Sequence, residues 1–142
     1  MSWAGLFTLV HVIAFAAWAL LLIGPRGPRT AAIILYFGVG LLCLAYTAMF
    51  ASQAGALRPA DFLSIGGIKS LFARNGGVVL GWTHYLALDL FTGQWIAKDA
   101  DHKGFSRIAQ TPILILTLLA GPIGLLVWMF IRERRARESA RS

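Results

Sequence analysis

His84 and Asp89 lie inside the stretch Trp82 to Asp99, WTHYLALDLFTGQWIAKD, whose other residues suit a helix in hydrocarbon. A protonated carboxyl and a neutral imidazole are a general acid and a general base, and an apolar surrounding favours both uncharged forms. Five positions separate them, about 140° around a helix, so they flank an arc and do not form an i, i+4 pair. Tyr85 shares the Asp89 face, which Thr92 and Gly93 continue, while His84 shares its face with Leu88, Phe91 and Trp95. His11, in the first apolar run, is the third titratable group at depth. At about 1.5 Å per residue, His11 lies about 12 Å in, His84 about 9 Å and Asp89 about 16 Å, in the same half of a bilayer or at its midplane.

Each of these residues also has a plain structural reading. Ionisable groups inside membranes commonly face a bundle interior with a partner, so Asp89 and His11 also suit interhelical hydrogen bonds. Trp82, Phe91 and Trp95 suit packing, and the two tryptophans suit interface anchoring. Asp99, Asp101 and His102 have metal-ligand chemistry, but a solvated turn with charges at a helix end accounts for them better. Three histidines, at 11, 84 and 102, are too few for a di-iron centre. A b-type haem between His11 and His84 satisfies depth matching alone.

The elements that must carry these groups follow from composition. The 142 residues are 58% hydrophobic and 13% charged, with a mean hydropathy of +0.70. Soluble domains run at about 45–50% and about 25% respectively, so an integral membrane protein is expected. Four runs are long enough to span, about 3–23, 30–50, 78–97 and 112–131. They predict an all-α, single-domain, four-helix membrane bundle, in the cytoplasmic (inner) membrane if the source is bacterial, followed by a basic tail at 132–142. The first run has no basic lead and exceeds the roughly 7–15 residues of a signal-peptide core, so a retained helix is expected. The charge of +7 gathers at Arg132, Arg134, Arg135, Arg137 and Arg141 without interleaved aromatics, which suits lipid headgroups and argues against nucleic acid. The single Cys43 excludes an intrachain disulfide and a cysteine-based zinc site.

With four spans, eight basic residues fall on the side of both termini and five on the other, which predicts cytoplasmic termini. Gly24-Pro25-Arg26-Gly27-Pro28 reads as a tight turn. After Asp61, read as a helix cap, Phe62, Ile65, Ile68 and Phe72 recur at helical spacing beside Lys69 and Arg74, which predicts a short interfacial segment weakened by Gly66-Gly67. Gly76-Gly77 is expected to break the chain before the third span. In the fourth, Gly121-Pro122 predicts a mid-span kink against the Leu118 carbonyl, at about the depth of Asp89. Gly38, Gly40, Gly121 and Gly124 would permit close helix contacts, including those of a homo-oligomer.

The stretch from Trp82 to Trp95, with Asp99, Leu71-Phe72, Pro112 and Gly121-Pro122-Ile123-Gly124-Leu125-Leu126, resembles the neoxanthin synthase-like, or abscisic-acid-deficient-like, family of small membrane proteins. The resemblance covers about Phe62 to Trp128; the first two runs match in size and order. It departs at Gln110-Thr111, where a histidine or similar polar residue is expected shortly before Pro112. The resemblance implies carotenoid metabolism and a lipid-soluble partner, probing the conversion of an epoxy-xanthophyll into an allene of neoxanthin type. Such an isomerisation is redox-neutral and implies no cofactor. On this basis Asp89 is the expected acid, His84 the base and Tyr85 the orienting group, with His11, Trp82, Phe91, Trp95, Gly121 and Pro122 against the substrate. A non-catalytic carotenoid-binding or assembly partner is the alternative reading, and a small transporter or haem protein a further one.

Overall fold

The computed structural model describes residues 1–139, with side chains through Arg134 apart from Ala56; of the basic tail, Arg141 lies outside the described residues. The chain is all-α. Helix α1 (Trp3–Ile23) begins where the Ser2 hydroxyl accepts from the Gly5 N–H at 3.2 Å. It ends at Gly24, ahead of the expected proline turn. Helix α2 (Pro28–Gln53) starts on proline, which has no N–H to leave unpaired, and is π-helical over Ile34–Gly40. Both α1 and α2 are long and apolar enough to cross a membrane.

Two 3₁₀ turns, Ala54–Ala56 and Pro59–Leu63, lead to the short helix α3 (Ile65–Phe72). Its cap is Ser64, whose hydroxyl accepts from Gly67 N–H at 3.0 Å, and not Asp61. Asp61 instead accepts from the Arg58 N–H at 3.2 Å within the preceding turn. Helix α4 (Asn75–His102) is longer at both ends than the hydropathy run suggests. Gly76-Gly77 falls inside its first turn and breaks nothing, and Asp99 and His102 stand on its last turns.

The expected fourth span is two helices. Ser106 caps α5 (Arg107–Leu119), Ala120 leaves helical geometry at φ −155° and ψ 74°, and α6 (Gly121–Ser139) follows. The contacts give their directions. Arg107 donates to the carbonyls of Leu22 and Gly24, and Gln110 donates to Asp101, so α5 starts beside the His102 end of α4. It descends to Tyr85, whose hydroxyl donates to the Leu119 carbonyl at 3.1 Å. Then α6 climbs back. Gly121 lies against Asp89, Leu125 lines a cavity with Phe91, Thr92 and Trp95, and the Trp128 indole donates to Asp99 at 3.0 Å. Arg132 closes the return with an ion pair to Asp99 at 2.9 Å.

The kink expected in a continuous span is therefore a reversal. Residues 112–131 do not traverse the molecule, and Pro122 sits in the first turn of a new helix, where its missing N–H costs nothing. Gly124 packs directly on Thr117, seven positions back, whereas a straight helix would hold them about 10 Å apart. A further expectation falls with it. Trp3 lies beside Asn75, at one end of α4, and Arg132 lies at the other end. Trp3 and Arg132 are thus at opposite ends of α4, where four full spans would bring them to the same end.

The core lies where α1, α2 and α4 meet, around Val10, Trp18, Leu42, Leu90 and Ile96, all nearly inaccessible. Gly38 admits Ala17 and Leu90 at close range, so this glycine serves packing within the chain.

Candidate functional site

Asp89 stands at the midpoint of α4, about 21 Å from Asn75 and about 20 Å from His102 along the helix axis. There α5 and α6 meet. A helix end leaves backbone groups without intrahelical partners, and the reversal at Ala120 exposes both kinds at once. The two side chains one turn apart on α4 take one of each. Tyr85 donates its proton to the Leu119 carbonyl, and the Asp89 carboxyl faces the Gly121 N–H at the positive end of the α6 dipole. The Tyr85 hydroxyl also lies beside the Asp89 carboxyl. Asp89 is 8% exposed, and its Oδ2 is buried without a hydrogen-bond partner. A Cβ on Gly121 would overlap the Asp89 carboxyl, so only glycine allows this approach.

The hairpin reaches only to Tyr85, and beyond it, toward Asn75, Phe7, His11 and Trp82 on the adjoining faces of α1 and α4 stay partly exposed. The step beneath the hairpin tip, Leu119–Pro122, is a notch. Its wall is aromatic: Trp82 stacks on Tyr85 with ring centroids 5.1 Å apart, and on His11 at 5.9 Å. The Trp82 indole N–H donates to His11 Nε2 at 2.8 Å, while His11 Nδ1 lies 2.7 Å from the Phe7 carbonyl. A carbonyl only accepts and an indole N–H only donates, so the ring is the neutral tautomer protonated at Nδ1. Farther down, Trp3, Ala4, Phe7, Thr8, Asn75, Val78 and Val79 line an open cavity of about 300 Å³.

The fold thus gathers His11, Trp82, Tyr85, Asp89, Gly121 and Pro122. It does not bring His84 to them. His84 is on the other side of α4, tilted against Tyr46 with centroids 5.6 Å apart, in an apolar cavity of about 240 Å³ covered by α3. Phe91 and Trp95 border the shallow α4–α6 groove with Leu125, and Arg132 lies 5.6 Å above the Trp95 ring. Asp99 is occupied by Trp128, Arg132 and Lys103, and His102 Nδ1 by the Lys98 carbonyl. Among the described residues no three His, Cys, Asp or Glu side chains come together in a metal-binding group.

Two residues to which sequence reasoning gave no site role, Gln110 and Arg26, hold the base of the hairpin. Gln110, fully buried, donates to Asp101 at 2.7 Å and to the Phe105 carbonyl at 2.9 Å, and accepts from Arg26 at 3.0 Å. Burial pushes the Arg26 guanidinium below the ordinary arginine range, with Asp101 acting in the opposite sense. A polar side chain three residues inside a helix start, at the position where a histidine was expected, was the available signal.

The model of the ABA DEFICIENT 4-like family matches residues 5–128, which takes in α1 and α2 as well as the region from Phe62 to Trp128. Comparison with curated proteins and with solved structures gives no match. The matched segment contains His11, Trp82, Tyr85, Asp89, Gly121 and Pro122, and the chain belongs to the ABA DEFICIENT 4-like family.

Proposed function

We propose that this chain is an integral membrane protein that receives the epoxide end group of a xanthophyll in the notch and isomerises it with Asp89 as the acid. Family membership links the chain to neoxanthin- and abscisic-acid-related carotenoid metabolism. The membrane reading rests on the two long apolar helices and on the apolar exterior, where Val12, Tyr36, Phe37, Leu44, Leu88 and Phe130 are each about half exposed or more. In that reading α1, α2 and α4 span, and α5–α6 is a re-entrant hairpin. Non-helical backbone at such depth persists where side chains satisfy it, which Tyr85 and Asp89 do.

The observation that carries the proposal is the Asp89 carboxyl: central, buried, and with one oxygen that the fold leaves unpartnered. A protonated carboxyl there donates to the epoxide oxygen as the C–O bond opens. The carboxylate then takes the proton from the neighbouring polyene carbon, giving the allene and restoring the acid. Atoms and electrons balance without an oxidant. With His84 behind α4, one carboxyl acting in both directions replaces the acid–base pair expected from the sequence. Tyr85 positions the oxygen, and Trp82, fixed by His11, flanks the ring. The test is Asp89→Asn in a host that makes violaxanthin: an unchanged pigment profile from a correctly folded variant overturns the assignment.

A second reading has its own observation. The Tyr85 and Asp89 groups already stitch the backbone break, so the same geometry suits a carotenoid-binding partner without catalysis. Purified protein that retains a xanthophyll unchanged would favour that reading; conversion by the purified protein would exclude it.

A further inference from the structure

The hairpin changes the charge ledger of the molecule. Twelve basic residues fall within residues 1–139. A bundle of four full spans would divide them between the two faces with a modest bias. With α6 returning to the His102 end, only Arg58, Lys69 and Arg74 belong to the Asn75 end. The other nine, from Arg26 and Arg29 through Lys98, Lys103 and Arg107 to the run after Ile131, all belong to the opposite end. Basic residues near span ends, in short loops, set orientation, and nine against three is decisive where the seven against five of four full spans, over the same residues, is not.

We infer that the His102 end faces the cytoplasm, that the Trp3 end of α1 and the interfacial helix α3 lie on the opposite side, and that the notch opens into the non-cytoplasmic leaflet. The inference deepens the reading of the notch as a ligand site and rests on the membrane assignment made there. The roof of Leu119–Pro122 and the body of the hairpin fill the cytoplasmic half against α4, so an apolar ligand reaches Asp89 only from the other half. The basic end meets the anionic headgroups of the cytoplasmic leaflet, where Arg26 and Lys98 border a cavity.

Orientation is read with the full chain in a bacterial inner membrane, in a Cys43→Ser background. Lys69→Cys and, separately, Lys103→Cys are exposed to a membrane-impermeant maleimide in intact spheroplasts, and a phosphatase reporter is fused after the last residue. The expected result is labelling of Lys69→Cys without lysis, labelling of Lys103→Cys only after lysis, and an inactive reporter. Arg29→Cys repeats the Lys103 arm should that variant fail to accumulate. Labelling of Lys103→Cys in intact spheroplasts, or an active reporter, overturns the inference. The outcome is separable from the carotenoid reading: correct orientation with no xanthophyll bound removes only that reading, and the reverse orientation with pigment bound removes only this one.

Discussion

Asp89 and Gly121 fit each other so closely that no side chain larger than hydrogen is accommodated between them. The carboxyl at the midpoint of α4 thereby caps the start of α6. Gly121→Ala is expected to push the hairpin tip off α4 and to cost about 1–3 kcal/mol, as overpacking of a filled site does. Thermal unfolding in detergent checks this; an unchanged midpoint would mean that the tip relaxes freely.

Substitutions at Asp89 should separate its two roles. Asp89→Asn keeps an acceptor for the Gly121 N–H, so the fold is retained while an acid–base step slows by about 100-fold or more. Asp89→Leu leaves that N–H without a partner and should cost a further 1–3 kcal/mol or so in stability. Equal stability of the two variants would argue against the capping role.

Tyr85→Phe preserves the stack on Trp82 and removes only the donor to Leu119. The expected loss is about 1 kcal/mol. Because Tyr85 and Asp89 hold two sides of one break, the double variant should lose less, or more, than the sum of the single losses, and a double-mutant cycle reads that difference. Strict additivity would show two independent contacts.

The two buried-helix histidines should behave differently. Nitrogen-15 NMR of labelled His11 is expected to show the Nδ1-protonated tautomer, and Trp82→Phe to weaken that preference, which the Phe7 carbonyl at Nδ1 then holds alone. His84→Ala, behind α4, should leave conversion or binding of the xanthophyll within about two-fold of the parent, since no contact links it to the Asp89 side. A large loss in His84→Ala would restore it to the site.

Much of this was legible in the residues themselves. Apolar run length located α1 with the same limits, 3–23, and found the bodies of α2 and α4. The rarity of charge at depth singled out Asp89, and helical spacing correctly set His84 and Asp89 on different faces. Spacing could not say which neighbour fills each face, and so His84 was paired with the wrong surroundings. The hairpin was hidden because a run of about 20 apolar residues has the same hydropathy whether it crosses or turns back. Two signals pointed to the turn. Gly121-Pro122 has the composition of a helix start as much as of a kink, and basic residues flank the run on both sides, at Lys103 and Arg107 and again from Arg132. A segment that crosses the membrane seldom carries strong positive charge at both ends.

The thirteen residues of α5 act as a ruler. Its base is pinned by Arg107 and Gln110 and its tip by Tyr85 and Asp89, so its length alone fixes how far the roof stands above the open end of the notch. Each residue added to α5 would lower the roof by about 1.5 Å and rotate the tip by about 100°, away from the two groups that hold it. Roof position and helix length are therefore coupled quantities, adjustable only in whole turns.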